Sequence, residues 1–323
     1  MIERKTTSVS LKLLLVLSLS STVLFVGIER LKLFGKKEYI EWRKQASART
    51  KMAFDTIKKA RLEKGIPLEK EDINATGIIG PEFSPLVTTL GLLSAKRTAA
   101  NPNFAGLIAS MLLKSGAREG DMVALGLSGS FPSLNIACLV ASDVLKLKPV
   151  VISSVGSSTW GATHPEMTWL DMEAVLHRKG LISTRSIAVS LTGGAGQNFL
   201  LPEGRDLARA VVERNHLALI DEPDLSSHIR KRLVLYDQHS EGKPIRVFVN
   251  VGGPLVDLGE EEGRRQIPNG LLLHPLRNVE VREEGIISTM LRRGIPVIHL
   301  LNINGLAKRN GLPVDPVPLP LPE

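Results

Sequence analysis

The sequence predicts an α/β protein: a mostly parallel sheet with helices on both faces, Rossmann-like, preceded by one N-terminal transmembrane helix. Three observations predict it. Short apolar runs of strand length alternate with amphipathic segments of helical period through the body. Four of those strands run straight into Gly/Ser loops, at Ser128, Gly156, Gly193 and Gly252. Residues 9–28, VSLKLLLVLSLSSTVLFVGI, form an apolar stretch of spanning length whose one charge, Lys12, lies near its end.

In order, residues 1–8 are a short flank and 9–28 the anchor. A cleaved signal peptide is the rival reading, but the stretch ends in Phe25-Val26-Gly27-Ile28-Glu29-Arg30, with no small-residue cleavage site. Residues 29–75 are expected to form a basic juxtamembrane helix and linker. Tyr39, Trp42, Ala46, Ala53, Ile57 and Ala60 make one stripe, and Arg43, Lys44, Arg49, Lys51, Lys58, Lys59 and Arg61 occupy the other faces. Such a helix suits anionic headgroups, a partner helix or a solvated stalk. Gly65 and Pro67 stop it, and the body, 76–310, begins near Thr76.

Within the body Asn101-Pro102 opens a helix that Gly116 closes. The central unit follows: strand Met122–Leu127, a small-residue loop, then a helix from Pro132 to Leu145 with Ser130 as its expected N-cap. Later strands are Pro149–Val155, Ser186–Leu191, Ile245–Val251 and Pro296–Leu301. Later helices run from Trp169, with Thr168 and Asp171 set for a capping box, and over Glu203–Arg214, Leu225–Tyr236 and Glu283–Arg293. The Pro-rich tail, 311–323, is expected to be extended.

Composition narrows the function. The chain has 323 residues, 43% of them hydrophobic, enough for a large core. Aromatics are 4%, too few for base-stacking surfaces, so nucleic acid is not an expected partner. The formal charge of +8, with much of the basic excess near the N-terminus, favours the membrane and acidic ligands. The basic residues after the span lean toward a cytoplasmic body, although N-terminal anchors often translocate the domain attached to them, and the side stays open. One cysteine, Cys138, excludes an internal disulfide framework.

In parallel sheets, ligands bind beyond the carboxyl ends of the strands. Four Gly/Ser loops at that end would gather backbone N–H groups and hydroxyls fit for carboxylate or phosphate. The candidate ligand-binding residues are Lys96, Arg97, Ser128, Gly129, Ser130, Ser133, Ser153, Ser154, Ser157, Ser158, Thr159, His164, Gly193, Gly194, Gly252 and Gly253. Lys96 and Arg97 read equally as surface charges. An enzyme reading places Ser128 at a nucleophile elbow, Gly126-Leu127-Ser128-Gly129-Ser130, where Ser130 replaces the final glycine of G-x-S-x-G and Pro132 stiffens the loop, with Asp257 and His274 completing a triad in the Ser-Asp-His order. A turn serine, a loop cap and a packing histidine are the plain alternatives. No phosphate loop, dinucleotide fingerprint or paired-histidine motif occurs, so no cofactor and no metal is expected.

Several strings resemble the bacterial poly-gamma-glutamate system protein family. They are TGIIGPEFSPLVTTLG (76–91), AKRTAANPNFA (95–105), GLSGSFPSLNIA (126–137) and SSVGSSTWGATHPEMTWLDME (153–173). The resemblance spans the anchor and most of the body and weakens after about Asn198. It implies a place in making or exporting poly-gamma-glutamate at the cell envelope, as a single-pass membrane protein. It also implies partners: an ATP-dependent amide ligase, a multi-span membrane subunit, and the anionic polymer or its precursor. It carries over no catalytic residue; a serine-dependent hydrolase or transferase acting on gamma-glutamyl amide bonds is the alternative.

Overall fold

The computed structural model describes residues 10–194, 200–259, 267–274 and 285–323, apart from the side chains of 11–13 and 26–36. The chain divides into two compact units, Met1–Glu41 and Trp42–Glu323. The first holds the start of helix α1 (Leu11–Glu63), and every side chain from Leu14 to Phe25 is exposed. Among the described residues no helix is long and apolar enough to cross a membrane. The expected span, 9–28, begins at a residue outside the described ones and ends among side chains outside them.

The second unit opens with the rest of α1. There follow β1 (Val87–Thr89), α2 (Leu93–Ala99), α3 (Phe104–Lys114), β2 (Met122–Ser128), α4 (Pro132–Val144), β3 (Lys148–Ser154) and β4 (Ser157–Ser158). Next come β5 (Thr163–His164), β6 (Met167–Thr168), α5 (Trp169–Arg178), β7 (Ala188–Ser190), α6 (Pro202–Arg214), β8 (Ala218–Ile220) and α7 (Leu225–Gln238). The unit ends with β9 (Ile245–Val251), α8 (Leu255–Leu258), β10 (Gly270–Leu272), α9 (Ile286–Arg292), β11 (Val297–Leu300) and α10 (Ile303–Arg309).

Seven strands form one sheet in the order β10-β11-β9-β2-β3-β7-β8. All neighbours are parallel except β10, which pairs antiparallel with β11. The fold is thus mixed α/β with a mostly parallel sheet. All seven residues of β2 are buried, because the alternation of side chains feeds two cores. Val123, Leu125 and Leu127 pack with α1, α3, α4, α5, α6 and α10 on one face. Met122 and Ala124 pack with α7, α8 and α9 on the other. At α5 the capping box forms as expected, with Thr168 and Asp171 satisfying each other's backbone.

The boundary expected at Thr76 lies earlier. From Trp42 onward α1 belongs to the body, with Ala46, Ala53, Phe54 and Ile57 in the core. Arg61 is buried, donating to the Ile79 carbonyl at 2.6 Å and pairing with Glu69 at 2.7 Å. Arg49 donates to the Leu181 carbonyl at 2.9 Å and meets Asp143 at 3.1 Å. These two arginines are held inside the body and are not free for headgroups. The stripe alone could not reveal this, since a core-facing stripe and a membrane-facing stripe have the same period.

The tail forms neither helix nor strand, bends at Val314-Asp315 and Val317-Pro318 instead of running extended, and is bound along its length. The Asp315 N–H donates to Thr98 Oγ1 at 2.8 Å, Asn74 donates to the Pro316 carbonyl at 2.8 Å, and the Glu323 N–H donates to Asn103 Oδ1 at 2.9 Å.

Candidate functional site at the carboxyl end of the sheet

From β2 the chain moves one way, to β3, β7 and β8, and then returns to add β9 and β11 on the other side. The two directions part between β2 and β9, the switch point where a crevice opens in sheets of this kind. A cleft of about 220 Å³ lies there. The four Gly/Ser loops do converge on it: Ser128 and Ser130 after β2, Ser154, Gly156 and Ser158 after β3, Gly193 after β7, and Gly253 after β9. A larger recess of about 490 Å³ opens at the opposite end of the strands, beside Arg118 and Arg246. Its polar groups are engaged locally, with Arg246 donating to the Gly116 carbonyl at 3.1 Å and Asp121 accepting the Arg118 N–H at 2.8 Å. The cleft at the switch point is the stronger candidate.

Its loops are tightly fitted to one another. Gly252 has φ +92°, and a Cβ there would stand 2.3 Å from Ser128 Oγ, so only glycine suits the position. At Gly193 a Cβ would fall 2.3 Å from Pro254 Cβ, which brings the loops after β7 and β9 into contact. Ser130 does not cap α4 as expected; the N-cap is Phe131, with no side-chain bond. Instead Ser130 Oγ accepts the Ser158 N–H at 3.0 Å and ties two loops across the cleft.

One wall is a segment the sequence reading missed, Thr88 to Leu92. It is held by β1 pairing with β4 and by Thr159, whose hydroxyl accepts the Gly91 N–H at 2.8 Å. Phe131, Ala95, Pro254 and Leu301 complete the lining. The only local signal was the turn-forming Gly91 after Thr88-Thr89-Leu90. The β1–β4 pairing joins residues about 70 apart, and no period foretells it.

Behind the lining lies Lys96. Its side chain is buried, and its Nζ donates to Ser158 Oγ at 2.6 Å and to the Ser130 carbonyl, 4.1 Å from the centre of the Phe131 ring. No carboxylate pairs with it among the described residues. Burial lowers its pKa from the usual 10.5 to about 7, although the ring face favours the charged form. Arg97 is not in the cleft. A residue one step along a helix turns about 100°, and Arg97 pairs with Asp315 of the tail at 2.8 Å.

Other expected ligands serve the scaffold. Ser153 accepts from Trp169 Nε1 at 3.0 Å and meets Ser186 Oγ at 2.7 Å beneath the sheet. Ser157 donates to the Gly129 carbonyl at 3.0 Å, and a Cβ on Gly129 would stand 2.6 Å from the Val155 carbonyl. Ser133 is buried within α4. Gly194 lines a separate small recess with His228. His164 sits in the β5–β6 hairpin with Nδ1 accepting the Glu166 N–H at 3.2 Å, its pKa lowered first by burial and then by Arg61.

The triad of Ser128, Asp257 and His274 is not assembled. Asp257 is buried under Gly126 with Arg232 Nη1 at 3.9 Å, and burial raises its pKa to about 6. His274 is exposed, just past the edge strand β10. Ser128 Oγ accepts the Ser130 N–H at 3.3 Å. Beneath the cleft floor, Asn250 and His299, paired in register, share a bond of 2.9 Å, and burial lowers the His299 pKa to about 4. Among the described residues no group of three His, Cys, Asp or Glu side chains is placed to hold a metal ion.

The fold and site together define an α/β protein with a mostly parallel sheet and a hydroxyl- and glycine-lined cleft at its switch point. No protein-family model matches the chain, and neither a curated protein nor a solved structure matches it.

Proposed function

We propose that this chain is a membrane-anchored accessory component of poly-gamma-glutamate synthesis or export, and that its cleft holds a gamma-glutamyl chain or its precursor. The observation that carries the reading is the convergence of the four loops over a buried lysine with no carboxylate partner among the described residues. Serine hydroxyls and glycine N–H groups suit carboxylate oxygens, and Lys96, with a pKa of about 7, adds positive potential from behind in its protonated fraction. A net charge of +8 attracts a polyanion over longer range. The resemblance of residues 76–173 supplies the pathway. The anchor is read from the apolar sequence of residues 9–28. The ligase and the multi-span subunit are the proposed partners.

Calorimetry of full-length protein in detergent with gamma-glutamyl oligomers tests the binding. Ser130→Asp places a carboxylate beside Lys96, giving that lysine a permanent partner and repelling the ligand. Affinity is expected to fall at least tenfold, about 1.4 kcal/mol or more, while Ser130→Ala loses about one hydrogen bond's worth, ~1 kcal/mol. Equal affinity in wild type and Ser130→Asp would send the anion elsewhere.

A further inference from the structure

The geometry points to an acyl-transfer site in the cleft, with Ser158 as nucleophile and Lys96 as its general base, acting on amide or ester carbonyls of a carboxylate-bearing chain. The substrate class rests on the reading of the cleft as a carboxylate site; the serine–lysine pair stands on its own geometry. Ser158 lines the cleft, and its Oγ lies 2.6 Å from Lys96 Nζ, within reach for direct proton transfer. Lys96 is shut from solvent behind it. Three other serines line the cleft, Ser128, Ser130 and Ser154; Ser128 Oγ accepts the Ser130 N–H, and Ser130 Oγ accepts the Ser158 N–H. None of the three meets a base among the described residues. Gly91 keeps space over the pair, since a Cβ there would stand 3.0 Å from Ser158 Oγ and 3.1 Å from Lys96 Cε.

A lysine acts as a base only when its amine is neutral at working pH. The groups facing Lys96 are the Phe131 ring and Ser130 carbonyl from the loop after β2 and the Ser158 hydroxyl from β4; its neighbour Arg97 on α2 is turned to Asp315. No acid opposes the effect of burial, which brings the pKa to about 7. In the first step Ser158 Oγ bonds to the carbonyl carbon while its proton passes to the neutral Lys96 amine. The carbonyl C–N or C–O bond then breaks, and Lys96 returns that proton to the leaving amine or alcohol. Water attacks the acyl group on Ser158 and gives a proton to Lys96. Collapse frees the carboxylic acid, and the proton on Lys96 restores the Ser158 hydroxyl.

The test uses full-length protein in detergent with p-nitrophenyl acetate and gamma-glutamyl-p-nitroanilide. The expected result is chromophore release, with an acyl group mapped by mass spectrometry to Ser158 and a rate that rises with pH through about 7. Ser158→Ala and Lys96→Met are each expected to lose about 100-fold or more, and Lys96→Arg does not restore the rate, because a guanidinium stays protonated. Melting curves identify any variant that has unfolded. No release and no adduct in the native protein overturns the inference, as does a folded Ser158→Ala with the native rate or a folded Lys96→Met with the native pH profile. Binding of a gamma-glutamyl hexamer to Ser158→Ala separates the two readings. Binding without any native turnover overturns acyl transfer and leaves the carboxylate site standing; turnover at Ser158 without hexamer binding supports acyl transfer and removes the carboxylate site.

Discussion

Glu173 shows how one buried carboxyl sets the pH response of this body. It lies on α5 with no exposed surface, and its Oε1 accepts from the Ser186 N–H at 2.9 Å and the Ser186 hydroxyl at 2.7 Å. The hydroxyl chain has one consistent direction: Trp169 donates to Ser153, Ser153 to Ser186, and Ser186 to Glu173. Arg185 stands 3.7 Å from the other oxygen, too far to offset burial, and the pKa rises from 4.5 to about 7. The folded state therefore holds the proton more tightly than the unfolded chain. Its stability contribution is full below pH 4.5 and is lost as pH rises through about 7. Glu173→Gln keeps the oxygen that Ser186 addresses and removes the titration. Urea denaturation at pH 5 and pH 8 is expected to show the variant gaining on the native protein by on the order of 3 kcal/mol, an upper bound. Parallel pH profiles for the two proteins would show that Glu173 does not titrate in this range.

The short helix α2 carries Lys96, yet it has no side-chain N-cap and only seven residues. Isolated helices of that length do not hold themselves. Its order comes from neighbours: Asn304 of α10 donates to Ser94 at 3.0 Å, and the tail supplies the Arg97–Asp315 pair and the bond to Thr98. The tail is thus a brace on the element that positions the buried lysine. Removing 312–323 is expected to lower Tm by roughly 5 °C and to speed hydrogen exchange in α2 ahead of the central strands. Slow, native exchange in α2 after truncation would show that α10 suffices.

At the scale of the whole molecule, the body from Trp42 to Glu323 carries both cores, the sheet and the cleft, while the apolar run lies in the other unit. Deleting residues 1–28 is therefore expected to move the chain from carbonate-washed membranes to the supernatant. The freed body is expected to retain the gamma-glutamyl binding proposed for the cleft. A truncated chain that still sediments with membranes would place the attachment elsewhere.

Much of this architecture was written locally. Strand β2, its small-residue loop and the Pro132 start of α4 follow from an apolar run, turn residues and a helical period, all of which act over a few neighbours. The capping box at Thr168 and Asp171 was equally legible, and so was the convergence of the four loops, because parallel strands put their carboxyl ends together. What the sequence could not contain were meetings between distant residues. Lys96 and Ser158 are 62 positions apart, and Arg97 finds its partner 218 positions away in a tail that composition alone describes as an extended end. The Ser-Asp-His order was present in the chain, yet the tertiary structure buried Asp257 against Arg232 and left His274 on the surface past an edge strand. Chain order fixes neither direction nor distance between side chains on separate elements. Sequence determined five of the sheet's seven strands, their loops and the end at which those loops gather; packing added the edge strands β8 and β10 and decided which serine meets a lysine, which lysine is stripped of water, and where the body begins.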